Sequence, residues 1–164
     1  MKKKGFTLVE LLAVIAILAI LVIIALPNVM GMFNNAKKSS FETEIKNIIK
    51  YAGTEWMTSN GLSGAAHEVE FSTAATKISS LDSRAQLKYY VKLDSTGKVK
   101  ELFVQDGTFW YAKQDSDQIK PEKVVSNDIK TSANTGEGMP NVCGSGATIT
   151  WTEGKPSCWP TQAN

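Results

Sequence analysis

Histidine occurs once in this 164-residue chain, at position 67, and cysteine only twice, at positions 143 and 158. A lone histidine and two well-separated cysteines fall short of a zinc-ligand set. No Gly-x-Ser-x-Gly, phosphate-loop or paired-carboxylate motif occurs, so nothing recommends catalysis, and neither a metal nor a cofactor is expected. Charge of one sign is also missing: 18 basic side chains face 16 acidic ones, a formal net charge of +2. That balance does not mark a nucleic-acid binder. There is no internal repeat, and after the first sixty residues too little chain remains for two independent domains.

What is present lies at the N terminus. From Phe6 to Leu26 the only polar side chains are Thr7 and Glu10, and Leu11 to Leu26 is unbroken Leu, Ile, Val and Ala. As a helix, the run from Phe6 to Leu26 would extend roughly 30 Å, the thickness of a bilayer's hydrocarbon core. Lys2, Lys3 and Lys4 precede it. Positive flanks stay in the cytoplasm, so the chain beyond Pro27 is expected outside. A cleaved secretory signal needs a shorter apolar region and a small-residue site, and Val29-Met30-Gly31 is a poor one. A plain single-pass anchor leaves Glu10 unexplained, because an acidic group in a spanning helix costs about 2.5 to 3.5 kcal/mol, less near its end. Such a charge normally has a partner; without one, it would reach back to the headgroups.

The segment GFTLVELL, preceded by a short basic leader and followed by an apolar run and Pro27, resembles the N-terminal signature of type IV pilins and pseudopilins. The match covers about thirty residues. The resemblance implies a membrane-embedded prepilin peptidase that cuts after Gly5, and N-methylation of the new terminus at Phe6. It implies that Glu10 meets the terminal amine of a neighbouring subunit during assembly. Opposite charges ~4 Å apart at an effective dielectric near 20 attract by about 4 kcal/mol before desolvation is subtracted. Methylation leaves the amine cationic. Pro27 lacks a backbone donor and clashes with the preceding turn, which marks Pro27 and Gly31 as a helix kink or a segment that loosens on packing.

A second period begins after Asn35. Phe41, Ile45, Ile48, Ile49, Ala52 and Trp56 recur at three- and four-residue spacing, with Lys38, Glu42, Lys46, Lys50 and Glu55 elsewhere on the wheel. This predicts an amphipathic helix continuing the apolar one, ended by Asn60-Gly61 and Ser63-Gly64. A short helix is signalled weakly over 74–81. Strands are expected over Leu87–Leu93, Val99–Gln105 and Thr108–Ala112, with turns at 94–97 and Asp106-Gly107, then an edge strand at 123–126 and another over 147–152. The fold class is therefore α+β: a long N-terminal helix packed on a C-terminal antiparallel sheet, which the resemblance implies is the pilin fold. Its expected organisation is a leader over 1–5, a hydrophobic assembly helix over 6–35 and a globular head over 36–164.

Asp115 and Asp117 alternate as in the calcium loops of some pseudopilins, but without the Gly and Glu that complete one, and are read as a solvated loop. Two cysteines outside the cytoplasm most simply form one disulfide, Cys143 with Cys158, resembling the C-terminal loop of many type IV pilins; in a reducing setting both would be free thiols. Lys113, Lys120, Lys123 and Lys130 are interrupted by Asp115, Asp117, Glu122 and Asp128, and Trp110, Trp151 and Trp159 are better used in core packing or at a rim than in stacking on bases or sugars. Loss of the three leader lysines leaves 15 basic against 16 acidic groups, or −1. Nucleic acid is thus a possible partner that nothing indicates. By resemblance the partners are further copies of the chain as a helical homopolymer, the prepilin peptidase, an assembly ATPase, a platform membrane protein, minor pilins and, before assembly, the membrane. The precursor is expected in the cytoplasmic membrane and the assembled pilus outside the cell, serving adhesion, twitching motility or DNA uptake. The alternatives are a pseudopilin of a type II secretion or competence system, and a monomeric membrane-anchored binding protein whose Gly5-Phe6 bond stays uncut.

Overall fold

A computed structural model of the chain describes residues 7–61, 67–73, 76–81, 87–131, 141–143, 150–152 and 155–160. Its first element, α1 (Leu8–Trp56), is a 49-residue α-helix that runs through Pro27. The chain divides into two compact units, Met1–Lys37 and Lys38–Asn164. In the first, every described side chain from Thr7 to Lys37 is exposed, and an 18-residue window reaches a mean hydropathy of 3.2 with none of it buried. A helix apolar on all sides, with its described side chains exposed, is built for lipid or for other helices.

Within the second unit the helix changes character. Phe41, Ile45, Ile48, Ile49 and Ala52 are buried, as their spacing predicts. After Trp56 the coil widens into a single π-helical turn, Met57–Gly61.

A five-stranded antiparallel sheet packs on that face: β1 (Val69–Ser72), β2 (Lys88–Leu93), β3 (Val99–Gln105), β4 (Phe109–Gln114) and β5 (Lys130–Thr131), in sequence order. Period-two alternation sorts its side chains. Phe71, Tyr89, Val91, Leu93, Val99, Leu102, Val104, Phe109 and Tyr111 join the helix in one core. Tyr90, Phe103 and Trp110 form a smaller buried cluster with Ala112, on the opposite face, where Tyr90 pairs with Phe103 and Phe103 with Ala112.

Both tight connections are built by an aspartate. Asp94 Oδ1 accepts bonds from the N–H groups of Thr96 and Lys98 and from the Thr96 hydroxyl, with Gly97 at φ +78°. Asp106 Oδ1 does the same for the N–H groups of Thr108 and Phe109 beside Gly107. Such side-chain mimicry of a turn is what short acidic residues supply.

Three expectations need correction or completion. The edge strand expected over 123–126 is absent: Pro121–Lys123 and Ser126–Asp128 are single 3-10 turns, and the strand that pairs with β4 is β5. Proline at the first turn position favours that coil over an extended chain. Over 74–81, only Ser79–Leu81 is a helical turn among the described residues. The edge strand β1 was not expected at all. Beyond residue 131, β6 (Asn141–Cys143) pairs in parallel with β9 (Cys158–Pro160), and β7 (Trp151–Thr152) pairs antiparallel with β8 (Lys155–Pro156). The strand expected over 147–152 is thus met at its last two positions, the first three lying outside the described residues.

Candidate functional site

Gly5 and Phe6 lie outside the described residues, so the describable part of the site begins at Thr7. Thr7 precedes the first helical residue, and Glu10 sits in the first turn. The backbone N–H of Thr7 donates to Glu10 Oε2 at 2.8 Å, its hydroxyl donates to the same oxygen at 2.8 Å, and the Glu10 N–H donates to Thr7 Oγ1 at 3.3 Å. This is a reciprocal capping box, in which each side chain satisfies a backbone donor that the helix start would leave unpaired. A carboxylate here also faces the positive end of the helix dipole.

The sequence reading gave Glu10 an intersubunit partner and overlooked Thr7. The signal was available, since a threonine followed three places later by glutamate before an apolar run is the capping-box pattern. All three bonds engage Oε2 or the Glu10 amide, which leaves Oε1 outside them. One carboxylate can therefore cap its own helix and still present an oxygen to a cation.

Pro27 lies inside α1, and a Cβ built at Gly31 would meet nothing within 4 Å. At the other end of the chain the parallel ladder sets Asn141 opposite Cys158 and Cys143 opposite Pro160. Cys158 is half-buried, and no free cysteine occurs among the described residues.

The remaining candidates resolve into ordinary structure. The His67 carbonyl accepts a bond from Trp56 Nε1 at 3.4 Å. Asp115 Oδ1 caps the N–H of Asp117 at 2.9 Å, which holds the Asp115 carboxyl below its usual range. Trp110 is buried, with Lys130 Nζ 5.4 Å from its ring centre, so a basic side chain and an aromatic are spent on each other. The side chains of Trp151 and Trp159 lie outside the described residues. Among those described, no group of three or more His, Cys, Asp or Glu residues is placed to hold a metal ion.

Residues 1–26 match the family model described as the prokaryotic N-terminal methylation motif. Neither curated proteins nor solved structures give a significant match to the chain. The motif ends inside the exposed apolar part of α1, so the processing signal and the lipid-compatible helix are one continuous segment. The chain therefore carries the N-terminal signature of the type IV pilins and pseudopilins, at the head of a long helix that is followed by an antiparallel sheet.

Proposed function

We propose that the chain is the structural subunit of a type IV pilus, cut after Gly5, N-methylated at Phe6 and polymerised through the apolar part of α1. One observation carries this reading: the methylation motif leads into a helix whose described side chains are exposed from Thr7 to Lys37. In a bilayer that surface faces lipid; in a filament it faces the same segment of other subunits, and packing replaces lipid contacts. Glu10 supplies register by pairing with the cationic terminus of a neighbour, and Pro27 with Gly31 gives the helix a place to loosen.

The head is held outside the membrane by the positive-inside flank. There Cys143 and Cys158 are joined, a reading supported by the adjacent strands β6 and β9 and by the lack of a free cysteine among the described residues. A loop of this size contributes ~3 kcal/mol when closed. Peptidase, ATPase and platform protein serve as processing and assembly partners.

The test is intact mass and N-terminal sequencing, without reductant, of protein sheared from cells. A chain that starts at methylated Phe6, oxidised and recovered in long sheared filaments, supports the pilin. A processed chain retained in the envelope as short fibres points to a pseudopilin. An uncut chain confined to membranes points to the monomeric anchor.

A further inference from the structure

The turn between β2 and β3 lies next to an irregularity in their pairing. Lys92 stands opposite Glu101, but the next residue, Leu93, stands opposite Val99, so Lys100 is left over as a bulged residue. The extra residue lets Val99 and Leu102 both enter the core although they are three apart, and a bulge re-aims the side chain it carries. Lys100 Nζ lies 2.7 Å from the carbonyl oxygen of Ser116, 2.5 Å from that of Asp117 and 3.4 Å from Asp94 Oδ2. Its side chain is 27% exposed. The segment it grips is also tied to β3 by backbone bonds, Asp115 N–H to the Lys100 carbonyl at 2.9 Å and Ile119 N–H to the Val99 carbonyl at 2.8 Å.

Two backbone carbonyls converging with a carboxylate are the donor set of a hard cation, and here an ammonium stands at their focus. The two carbonyls come from consecutive residues, and both are turned toward the same ammonium. Asp94 meanwhile spends its other oxygen on the turn that leads into β3. One ammonium thus joins three pieces of chain: the turn after β2, the bulge in β3 and the segment after β4.

We propose that Lys100 is a built-in cation which occupies a metal-like oxygen site and orders residues 115–119 without any need for a divalent ion. The bulge is the device that delivers it. The loop's carbonyls are saturated by the chain itself, and the head keeps its shape in calcium-poor surroundings.

The experiment uses the full-length protein in detergent micelles, with hydrogen exchange read at the amides of residues 115–119 in excess chelator and in calcium at about 5 mM, a range suited to weak extracellular sites. Wild type is expected to exchange equally in both. Lys100→Met, which keeps the stem and loses the charge, is expected to exchange about ten-fold faster or more, the scale of losing hydrogen bonds to a charged group. Lys100→Ala, which vacates the site, is expected to recover protection on adding calcium, while Lys100→Met, whose stem still fills it, does not. Head folding of both variants is monitored by the near-ultraviolet signal of its tryptophans. Protection in wild type that depends on calcium, unchanged protection in Lys100→Met, or a loss in Lys100→Ala that calcium fails to repair would each overturn the proposal. If Lys100→Ala does not fold, Lys100→Ser, which likewise vacates the site, takes its place with the same expected recovery and the same overturning results.

Discussion

Gly97 and Trp56 are in contact across the second unit so closely that a Cβ on Gly97 would stand 2.6 Å from Trp56 Cε3. The glycine also sits at φ +78°, where L side chains are disfavoured. Helix end and β2–β3 turn are thus locked by the absence of an atom. Gly97→Ala is expected to destabilise the head by about 2–4 kcal/mol, combining left-handed strain with overpacking. Chemical denaturation followed by tryptophan fluorescence measures it; a loss under about 0.5 kcal/mol, typical of a plain surface site, would contradict the locking role.

The two parts of α1 should respond oppositely to the same kind of change. Ile45→Ala empties a fully buried position and is expected to cost the head about 2–5 kcal/mol. Ile17→Ala, at a position 59% exposed, is expected to leave head stability unchanged and to lower filament yield. Parallel denaturation and shearing assays separate the two effects.

At the N terminus, Glu10→Ala is expected to insert and be cut yet incorporate poorly, because the capping interaction and the register charge disappear together. Thr7→Val removes the hydroxyl half of the capping box while keeping the Glu10 charge, so helix-start order falls by about 1 kcal/mol and assembly is retained in part. Normal filament yield from Glu10→Ala would refute the assembly role.

Acid should loosen the corner held by Asp94. Burial alone would raise its pKa, but bonds from Thr96, Lys98 and Lys100 outweigh burial and set it at about 2, against an ordinary 3.8. Folding therefore favours the ionised form: the contribution is complete above pH 3.8 and is lost as the pH falls toward 2. Glu42 is lowered in the same sense by its bonds from Lys46 and Ser126. Asp94→Asn is expected to lower stability at neutral pH and to flatten the loss between pH 3.8 and 2, as read by thermal melts across that window.

Removing the proposed disulfide with Cys143→Ser or Cys158→Ser is expected to cost ~3 kcal/mol and to remove the effect of reductant on the melting curve. A melt of the wild type that ignores reductant would argue against the bond.

The sequence made some of this legible for identifiable reasons. The helix faces could be read because 3.6-residue spacing is local, and β3 because its apolar run ends at a turn pair. The N-terminal signature is also a linear pattern. By contrast, β1 has four residues, one of them Glu70, and exists because Phe71 pairs with Val91 across a long connection. An edge strand was expected over 123–126, where Val124 and Val125 favour extended chain; only Val124 is buried, and Ser126 instead bonds to Glu42 on the helix. Lys100 was one lysine among many. Its role depends on a pairing register, and register comes from tertiary packing that no local pattern prints.

Aromatic side chains are buried on both faces of the sheet, Tyr89 and Tyr111 on one and Tyr90, Phe103 and Trp110 on the other, so among the described residues the exposed positions of the head lie mainly on its rims, in turns and connecting segments. Substitutions on those rims are expected to leave the core intact, whereas substitutions on the two buried faces are not.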